Sequence, residues 1–497
     1  MDNLKYRRQF LLSPVPCEDL NNWRIQKIDS YYLYVHPDCK TEKTSGANPV
    51  FLIGYLLDPH NPQKTSEEII NEIASCKSIE DLTGFLYKLT GRFILIIKKG
   101  GDFLFFNDAC GLKTFYYTKR EGKIYAASQP LLIDKVLKLH KTPAYDEYFN
   151  SSYVKKNIEH WLPVGVSLYE DVFQLIPNHY LIFPEYKQVR YWPVKRLQKD
   201  NYAALLDQFA QTLRKIMIAA DRQMDLAISL TAGWDSRILL SASKDFCQNV
   251  AYYTLKYRNM NDDSPDIKIP KLLTSSLKLR YSILDCEKEA TEEFIDIYEH
   301  NTDIAHLNDW GKIAYGLYEA YPGEKVAVRG NCSEVGRCYY YPEGKHAEII
   351  SEDDFLHLET GWKEMGFIKV CLKNWYHEAG RLEADYGYDL YDLFYWEHRM
   401  GSWQAQSQLE WDIAQEAFTP FNSRELLDLM LAVDPSYRKA YNPVLYSDTM
   451  KILWNEVLSE PINPMSNKRK FKKMIGSVLA KTGILPALMK FLKRYRS

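Results

Sequence analysis

The sequence is short of most features that would place it in a specialised class. No run approaches the roughly 18–20 consecutive apolar residues of a membrane span, so integral membrane association is not expected. Formal net charge is only −2, from 63 Lys+Arg against 65 Asp+Glu, which removes the overall electrostatic pull of a nucleic-acid-binding protein. The nine cysteines are odd in number and show no CxxC spacing, which argues against a paired disulfide framework and fits reduced thiols. Near the N-terminus Phe10-Leu11-Leu12 is too short for a secretory core, and prolines follow at once. A cytoplasmic protein is expected, and the N-x-S sequons at Asn150 and Asn331 read as chance matches. Two nucleotide-loop signatures are missing as well, GxxxxGK[ST] and a GxGxxG after a strand.

What is present suffices for two cores. At 497 residues, 46% hydrophobic and 26% charged, the chain exceeds one ordinary domain. Residues 1–195 read as β-rich, with short aliphatic and aromatic runs at Tyr31–Val35, Val50–Leu57, Arg92–Lys98, Phe103–Asn107, Phe115–Thr118 and Lys123–Ala127. Helical patterns at Ser66–Ser75 and Ile79–Leu89 interrupt them, and Val172–Phe183 with Val189–Trp192 reads as one more hairpin. The polar segment Pro193–Asn201 is the expected boundary. Residues 196–497 open with a helical pattern at Tyr202–Ala220, then alternate strand-like runs (Asp225–Leu230, Val250–Thr254, Arg280–Leu284, Val326–Val328) with helices. That order predicts a parallel sheet with helices on both faces. Beyond about residue 350 the pattern is mainly helical. The neutral total hides one asymmetry: Lys468 to Ser497 holds ten Lys/Arg and no Asp/Glu, leaving about −12 on the remainder. The tail Lys472–Arg496 reads as an amphipathic helix broken at Gly483 and Pro486, docking on the protein's own acidic body or on a membrane surface.

One stretch carries chemistry. Asp225–Leu230 leads into Thr231-Ala232-Gly233-Trp234-Asp235-Ser236 and then an apolar helical pattern. Phosphate needs backbone N–H donors converging at a helix N-terminus, with small side chains that let it approach. Thr231, Ala232 and Gly233 meet that demand, and Thr231 and Ser236 add hydroxyls. Asp235 would repel bare phosphate, so its sensible role is to hold Mg²⁺ between phosphate oxygens.

The stretch resembles the SGGxDS pyrophosphate loop of N-type ATP pyrophosphatases, and further segments extend the likeness in order. Asp263-Ser-Pro-Asp266 is similar to the acidic segment after the second strand. Val328-Arg-Gly-Asn-Cys-Ser-Glu334 through Tyr339 resembles the G-x-G-x-D-E-x-x-G-G-Y segment of asparagine synthetase-like enzymes, and Glu416 to Asn422 resembles their E-x-R-x-P-F-L-D helix start. Upstream, Leu89–Phe93, Asn107–Tyr117, Ala126–Ser128 and Leu175–Leu181 resemble landmarks of the amidotransferase-type domain. The likeness spans about residues 50–465. It implies an N-terminal Ntn-hydrolase-like β-sandwich domain and a C-terminal adenine-nucleotide α-hydrolase-like parallel-sheet domain, an α/β plus α+β chain. It implies ATP and Mg²⁺ as cofactors. Leu230, Thr231, Ala232, Gly233, Asp235, Ser236 and Gly330 would bind the nucleotide, Asp235 and Glu334 the metal, and Lys468 or Lys470 would stabilise charge on the adenylate. The expected reaction adenylates a substrate carboxylate and transfers the acyl group to an amine or ammonia, releasing AMP and pyrophosphate. The substrate would be a small molecule or peptide, with no nucleic-acid partner; a homodimer is left open.

The sequence departs from the family in two places. Position 2 is Asp2, where glutamine-dependent members carry the nucleophilic cysteine, and the nearest cysteine is Cys17. A carboxylate cannot take over a thiolate's role, so no glutaminase activity is expected, as in β-lactam synthetases and lasso-peptide cyclases. Asn331 stands where relatives carry a residue that helps deprotonate the amine, and an amide cannot accept a proton. Amidine formation and a non-catalytic scaffold that keeps the fold remain the alternatives. Tyr395-Trp-Glu-His-Arg399 is expected on a helix lining the core or the substrate cleft rather than as a triad. Tyr339–Tyr341 is read as packing, and His300 and His306 as lacking metal-ligand spacing.

Overall fold

Three sheets organise the chain. In the computed structural model, which describes residues 1–46, 48–304, 306, 308–321 and 325–464, the N-terminal half forms two six-stranded antiparallel sheets. One runs, edge to edge, through Phe173–Gln174, Tyr116–Arg120, Lys123–Ala127, Phe10–Ser13, Tyr31–Val35 and Arg24–Ile28. The other runs through Lys187–Arg190, His179–Phe183, Asp102–Asn107, Thr90–Lys99, Val50–Leu57 and Thr41–Lys43. Side chains alternate between faces. Phe10, Leu33 and Ile124 from the first sheet meet Phe51, Ile94 and Phe105 from the second in a shared core. Their neighbours Leu11, Tyr34, Leu52, Leu95 and Phe106 enter a second core together with the helices. Both sheets are thus covered on two faces, which is why Val50–Leu57 reads VFLIGYLL and is buried at every position. Helix Ser66–Ser75 packs on one sheet and Pro130–Asp134 on the other, giving a helix–sheet–sheet–helix sandwich. Thr65/Glu68 and Ser78/Asp81 capping boxes start the helices Ser66–Ser75 and Ile79–Tyr87.

The expected strand Val172–Phe183 is not one strand. Phe173–Gln174 pairs with Tyr116–Tyr117 in the first sheet, and His179–Phe183 pairs with Asp102–Asn107 in the second. Pro177 has no N–H to give a ladder, and Asn178 takes φ +67°, so the chain crosses between the sheets there.

The second half begins with α1 (Tyr202–Gln223), β1 (Leu226–Ser229), α2 (Trp234–Ala242), β2 (Ala251–Lys256), α3 (Pro265–Ser276) and β3 (Tyr281–Asp285). It continues through β4 (Val326–Val328), a π-helix (Tyr395–Gln404), β5 (Ala417–Phe418) and α4 (Arg424–Ala432). All four strand pairings are parallel, in the order β3-β2-β1-β4-β5. Between Arg190 and Tyr202 there is neither strand nor helix.

The two halves are bolted together by buried charge. Arg92 donates to both oxygens of Asp412 at 2.5 and 2.7 Å and lies 3.3 Å from Glu416, which Arg8 approaches at 3.5 Å. Asn422 donates to the Gly91 carbonyl at 2.7 Å and to Asp108 at 2.9 Å, and accepts from the Cys110 amide at 2.8 Å. Gly91 is required at this junction: its φ is +143°, and a Cβ there would lie 2.2 Å from the Tyr55 carbonyl oxygen. The Leu89–Phe93 and Glu416–Asn422 segments, far apart in sequence, are therefore one interface.

Candidate active site

From the central strand β1, successive connections run one way to β2 and β3 and the other way to β4 and β5. Open α/β sheets take ligands outside the C-terminal strand ends where the direction reverses, which here lies between β1 and β4. The loop after β1 carries Thr231–Asp235; the loop after β4 carries Gly330–Glu334. Glycine at 330 lets them touch, since a Cβ there would stand 2.6 Å from the Asp235 Cβ and 3.2 Å from its backbone carbon.

The loop after β1 is tied internally. Leu230 closes the strand, donating its N–H to Tyr253 and accepting from the Thr254 hydroxyl, so it offers no donor to a ligand. The Thr231 amide donates to Ser236 Oγ at 3.0 Å, the Gly233 amide to Thr231 Oγ1 at 3.1 Å, and the Ala232 amide to Asp266 in the first turn of α3 at 2.8 Å. Gly233 is the N-cap of α2, with Asp235 in the first turn. The half-buried Trp234 packs against the main core, and its indole N–H is buried without a partner. Asn463, near the end of the described chain, donates to the Ala232 carbonyl at 2.8 Å.

Asp235 and Glu334 converge on one cation. Arg337 Nη2 lies 3.0 Å from Asp235 and 3.3 Å from Glu334, while Ser333 donates to the other Asp235 oxygen at 2.6 Å. Burial first, and then the Asp235 charge, push the Glu334 carboxyl up to about 7 against the opposing pull of Arg337. Burial draws Arg337 down, but Asp235 and Glu334 outweigh it and hold the guanidinium above its ordinary value. Its Nε is buried without a partner. Two hard oxygen donors from separate loops fit Mg²⁺, which takes one or two protein carboxylates and completes its shell with phosphate and water. Among the described residues no three His, Cys, Asp or Glu form a closed metal cage, so phosphate or water would have to supply the rest.

No family model and no curated protein matches the chain. Among solved structures it is similar to a glutamine phosphoribosylpyrophosphate amidotransferase from B. subtilis complexed with ADP and GMP. That match has 10% identity over 59% of this chain and a TM-score of 0.24, and it spans just under two thirds, 66%, of the other chain. It is also similar to an allosteric regulatory enzyme of purine biosynthesis, at 10% identity, 57% of this chain, 69% of that one and TM-score 0.24. An NH3-dependent NAD synthetase from Campylobacter jejuni subsp. jejuni NCTC 11168, in complex with nitrate, matches at 13% identity, 37% of this chain, 86% of that one and TM-score 0.20. At these scores the likenesses establish neither fold nor activity.

Thr231, Ala232, Gly233, Asp235, Ser236, Gly330 and Glu334 are thus brought together, while Leu230 is committed to the sheet. Lys468, Lys470 and the basic tail lie outside the described residues. Sequence reasoning misses the parts of Arg337 and Asp266; the Glu334/Arg337 spacing, about one helical turn, is a signal that could have found the first. The Tyr395–Arg399 cluster lies on a π-helix, a rare conformation. It is no triad: Glu397 is held by Arg190 at 2.5 Å and by Trp375 at 2.7 Å. His398 is fully buried between Trp375 and Phe394, and burial lowers it to about 3. His306 pairs with Glu410 at 2.9 Å. No helix among the described residues is long and apolar enough to cross a membrane.

Proposed function

We propose that the chain is an ATP-dependent, AMP-forming carbon–nitrogen ligase with an asparagine synthetase-like synthetase half. The observation that carries this reading is the meeting of the β1 and β4 loops at the switch point, with Asp235 and Glu334 facing each other across Arg337. In the reaction, a substrate carboxylate oxygen attacks the α-phosphorus of ATP, the bond toward the β-phosphate breaks, and pyrophosphate leaves. An amine or ammonia nitrogen then attacks the acyl carbon, AMP departs, and the nitrogen loses one proton.

The residues have definable parts in this scheme. The α2 N-terminus and the Thr231 and Ser236 hydroxyls bind phosphate oxygens. Asp235 and Glu334 would hold Mg²⁺, which offsets phosphate charge when bound. Arg337, whose Nε–H is buried without a partner, would stabilise the charge developing on the departing pyrophosphate. Lys468 or Lys470, five and seven residues beyond Asn463, remains the proposed ammonium for the adenylate. Asn331 cannot take the amine's proton.

The sandwich supports the Ntn-like amidotransferase reading by its layer order, and in this proposal it releases no ammonia from glutamine. Cys17 is buried and its thiol is pushed up by burial, the opposite of an activated nucleophile. A second reading, a scaffold retaining only the fold, draws on the engagement of the Thr231, Ala232 and Gly233 amides inside the loop. ATP–pyrophosphate exchange across a panel of carboxylic acids separates the two. Exchange that is lost in Asp235→Asn and Glu334→Gln, with unchanged circular dichroism, supports the ligase. Absence of both exchange and ATP–Mg²⁺ binding in the unmutated protein overturns it.

A further inference from the structure

Away from the switch point, the junction of the two halves carries an open pocket of about 380 Å³, within the range of about 300–1,000 Å³ typical of small-molecule sites. It lies between helix Ile79–Tyr87, the segment Tyr191–Lys195 and α4, and its walls include Gly84, Tyr191, Trp192, Tyr388, Arg424 and Asp428. Two of these are charged and buried, Arg424 at 2% and Asp428 at 8% exposure. Both are incompletely satisfied. Arg424 donates its Nε–H to Asn178 at 3.0 Å and lies over the Tyr191 ring at 4.9 Å, but its Nη2 has no partner. Asp428 faces the hydroxyls of Tyr87 and Tyr388 and the Trp192 indole, yet its Oδ1 has no partner either.

Leaving charged groups buried and part-satisfied is costly, and here the two orphans carry opposite sign. They stand at i and i+4 on α4, so their Cβ atoms are about 5–6 Å apart on one face. An ammonium and a carboxylate on adjacent atoms of a ligand span that gap, each meeting its complement. Tyr87, Tyr191, Trp192, Val194 and Tyr388 give the cavity an apolar wall that would receive an apolar side chain, while Glu80, Thr83, Lys88 and Lys195 also line it. Burial pushes the Asp428 carboxyl up to about 7, against the hydrogen bonds of Tyr87, Tyr388 and Trp192 and the weaker pull of the exposed Lys195. We propose that this cavity is a binding site for a free α-amino acid with an apolar side chain, its carboxylate on Arg424 and its ammonium on Asp428. The site is independent of the ligase reading. Elsewhere on α4, Met430 packs against Gly336, two residues beyond Glu334, so an occupant would touch the same helix that backs the candidate active site.

The test is calorimetric titration of the full chain, without ATP, using L-phenylalanine and L-leucine as probes. Phenethylamine and 3-phenylpropanoate serve as controls that each lack one charge. The expected result is one site, with each control weaker than L-phenylalanine by about tenfold or more. Asp428→Asn should erase the preference for L-phenylalanine over 3-phenylpropanoate. Gly84→Trp provides a variant that leaves the charged pair intact: a Cβ at Gly84 meets nothing within 4 Å, and the indole would fill the mouth. It should weaken L-phenylalanine about tenfold or more with an unchanged melting temperature. Failure of both amino acids to bind at millimolar concentration would overturn the site, as would binding indifferent to Gly84→Trp.

Discussion

Replacing Arg92 with methionine tests whether the sandwich and the synthetase half are one cooperative body. The guanidinium is 3% exposed, its partner Asp412 is fully buried, and Glu416 stands 3.3 Å away. Methionine keeps the volume and removes the charge, leaving Asp412 desolvated without a counter-ion, a loss of about 3–5 kcal/mol. At about 2.1 cal/mol/K of unfolding entropy per residue, a 497-residue chain unfolding as a unit has about 1 kcal/mol/K, so Tm should fall by roughly 3–5 °C. The pH dependence follows from Glu416. Burial would raise it, but Arg92, Arg8 and Lys113 together hold it below its ordinary value. A depressed carboxyl contributes stability that is present above its unfolded pKa and lost as pH falls through the folded one. The variant's penalty should therefore be largest near pH 7–8 and shrink towards pH 4–5, where Glu416 begins to protonate. Differential scanning calorimetry at both ends measures this. Arg92→Met/Asp412→Leu, which removes the orphan as well, should regain more than half the lost Tm. A single variant melting within about 1 °C of the parent at pH 7.5 would refute the clamp.

Three further perturbations have defined outcomes. Gly330→Ala drives a methyl against the Asp235 Cβ and backbone, overpacking worth about 1–3 kcal/mol; ATP–Mg²⁺ affinity should drop about 5- to 100-fold, and parental affinity would show that the loops do not pack as described. Asp266→Ala removes the acceptor of the Ala232 amide, so hydrogen exchange at that amide should quicken about tenfold or more, and unchanged exchange would mean that the amide is protected otherwise. His346 has both ring nitrogens against acceptors, Asp389 at 2.6 Å and the Ala347 carbonyl at 2.6 Å, so both must carry protons. The hydrogen bond to Asp389 leads in raising it to about 9, against some burial. Its stabilisation is complete below the unfolded pKa of about 6.5 and is lost as pH rises through about 9; His346→Gln should be less stable than the parent at pH 6 and equal to it by about pH 10, and a ring titrating near 6.5 by NMR would contradict this.

Much of the fold was legible because the buried strands advertise themselves. Val50–Leu57, Lys123–Ala127 and Val326–Val328 are read with the bounds that the structure has, since each is a mainly apolar run between turn residues. Arg24–Ile28 was missed because it is an edge strand, mostly exposed and written RIQKI, with neither alternation nor bulk to mark it. Phe10–Ser13 was weighed only as a secretion signal, although its four buried residues pair on both sides. The split in Val172–Phe183 was signalled by Pro177-Asn178 inside the run, but which sheet each part joins is shown only by the pairing partners. The π-helix had no sequence signal: YWEHRMGSWQ fits an α-helix equally well, and the wider turn is set by packing.

At the site, the sequence order supplied the loops and the structure supplied the cation between them. Asp235 and Glu334, when both are ionised, amount with Arg337 to one net negative charge, and burial ahead of the Asp235 charge pushes the Glu334 carboxyl up to about 7. Adding a divalent ion alone would reverse that sign and set it against Arg337, which is unfavourable at this range. Adding the ion together with a polyphosphate would not: phosphate oxygens take both the ion and the guanidinium, leaving the two carboxylates to the ion. The arrangement therefore favours metal and nucleotide arriving as one complex over metal arriving first. Mg²⁺ titrated alone should bind far more weakly than in the presence of ATP, and Arg337→Met should narrow that gap by improving Mg²⁺ binding without nucleotide. Equal affinity with and without ATP would show that Arg337 does not compete for the carboxylates.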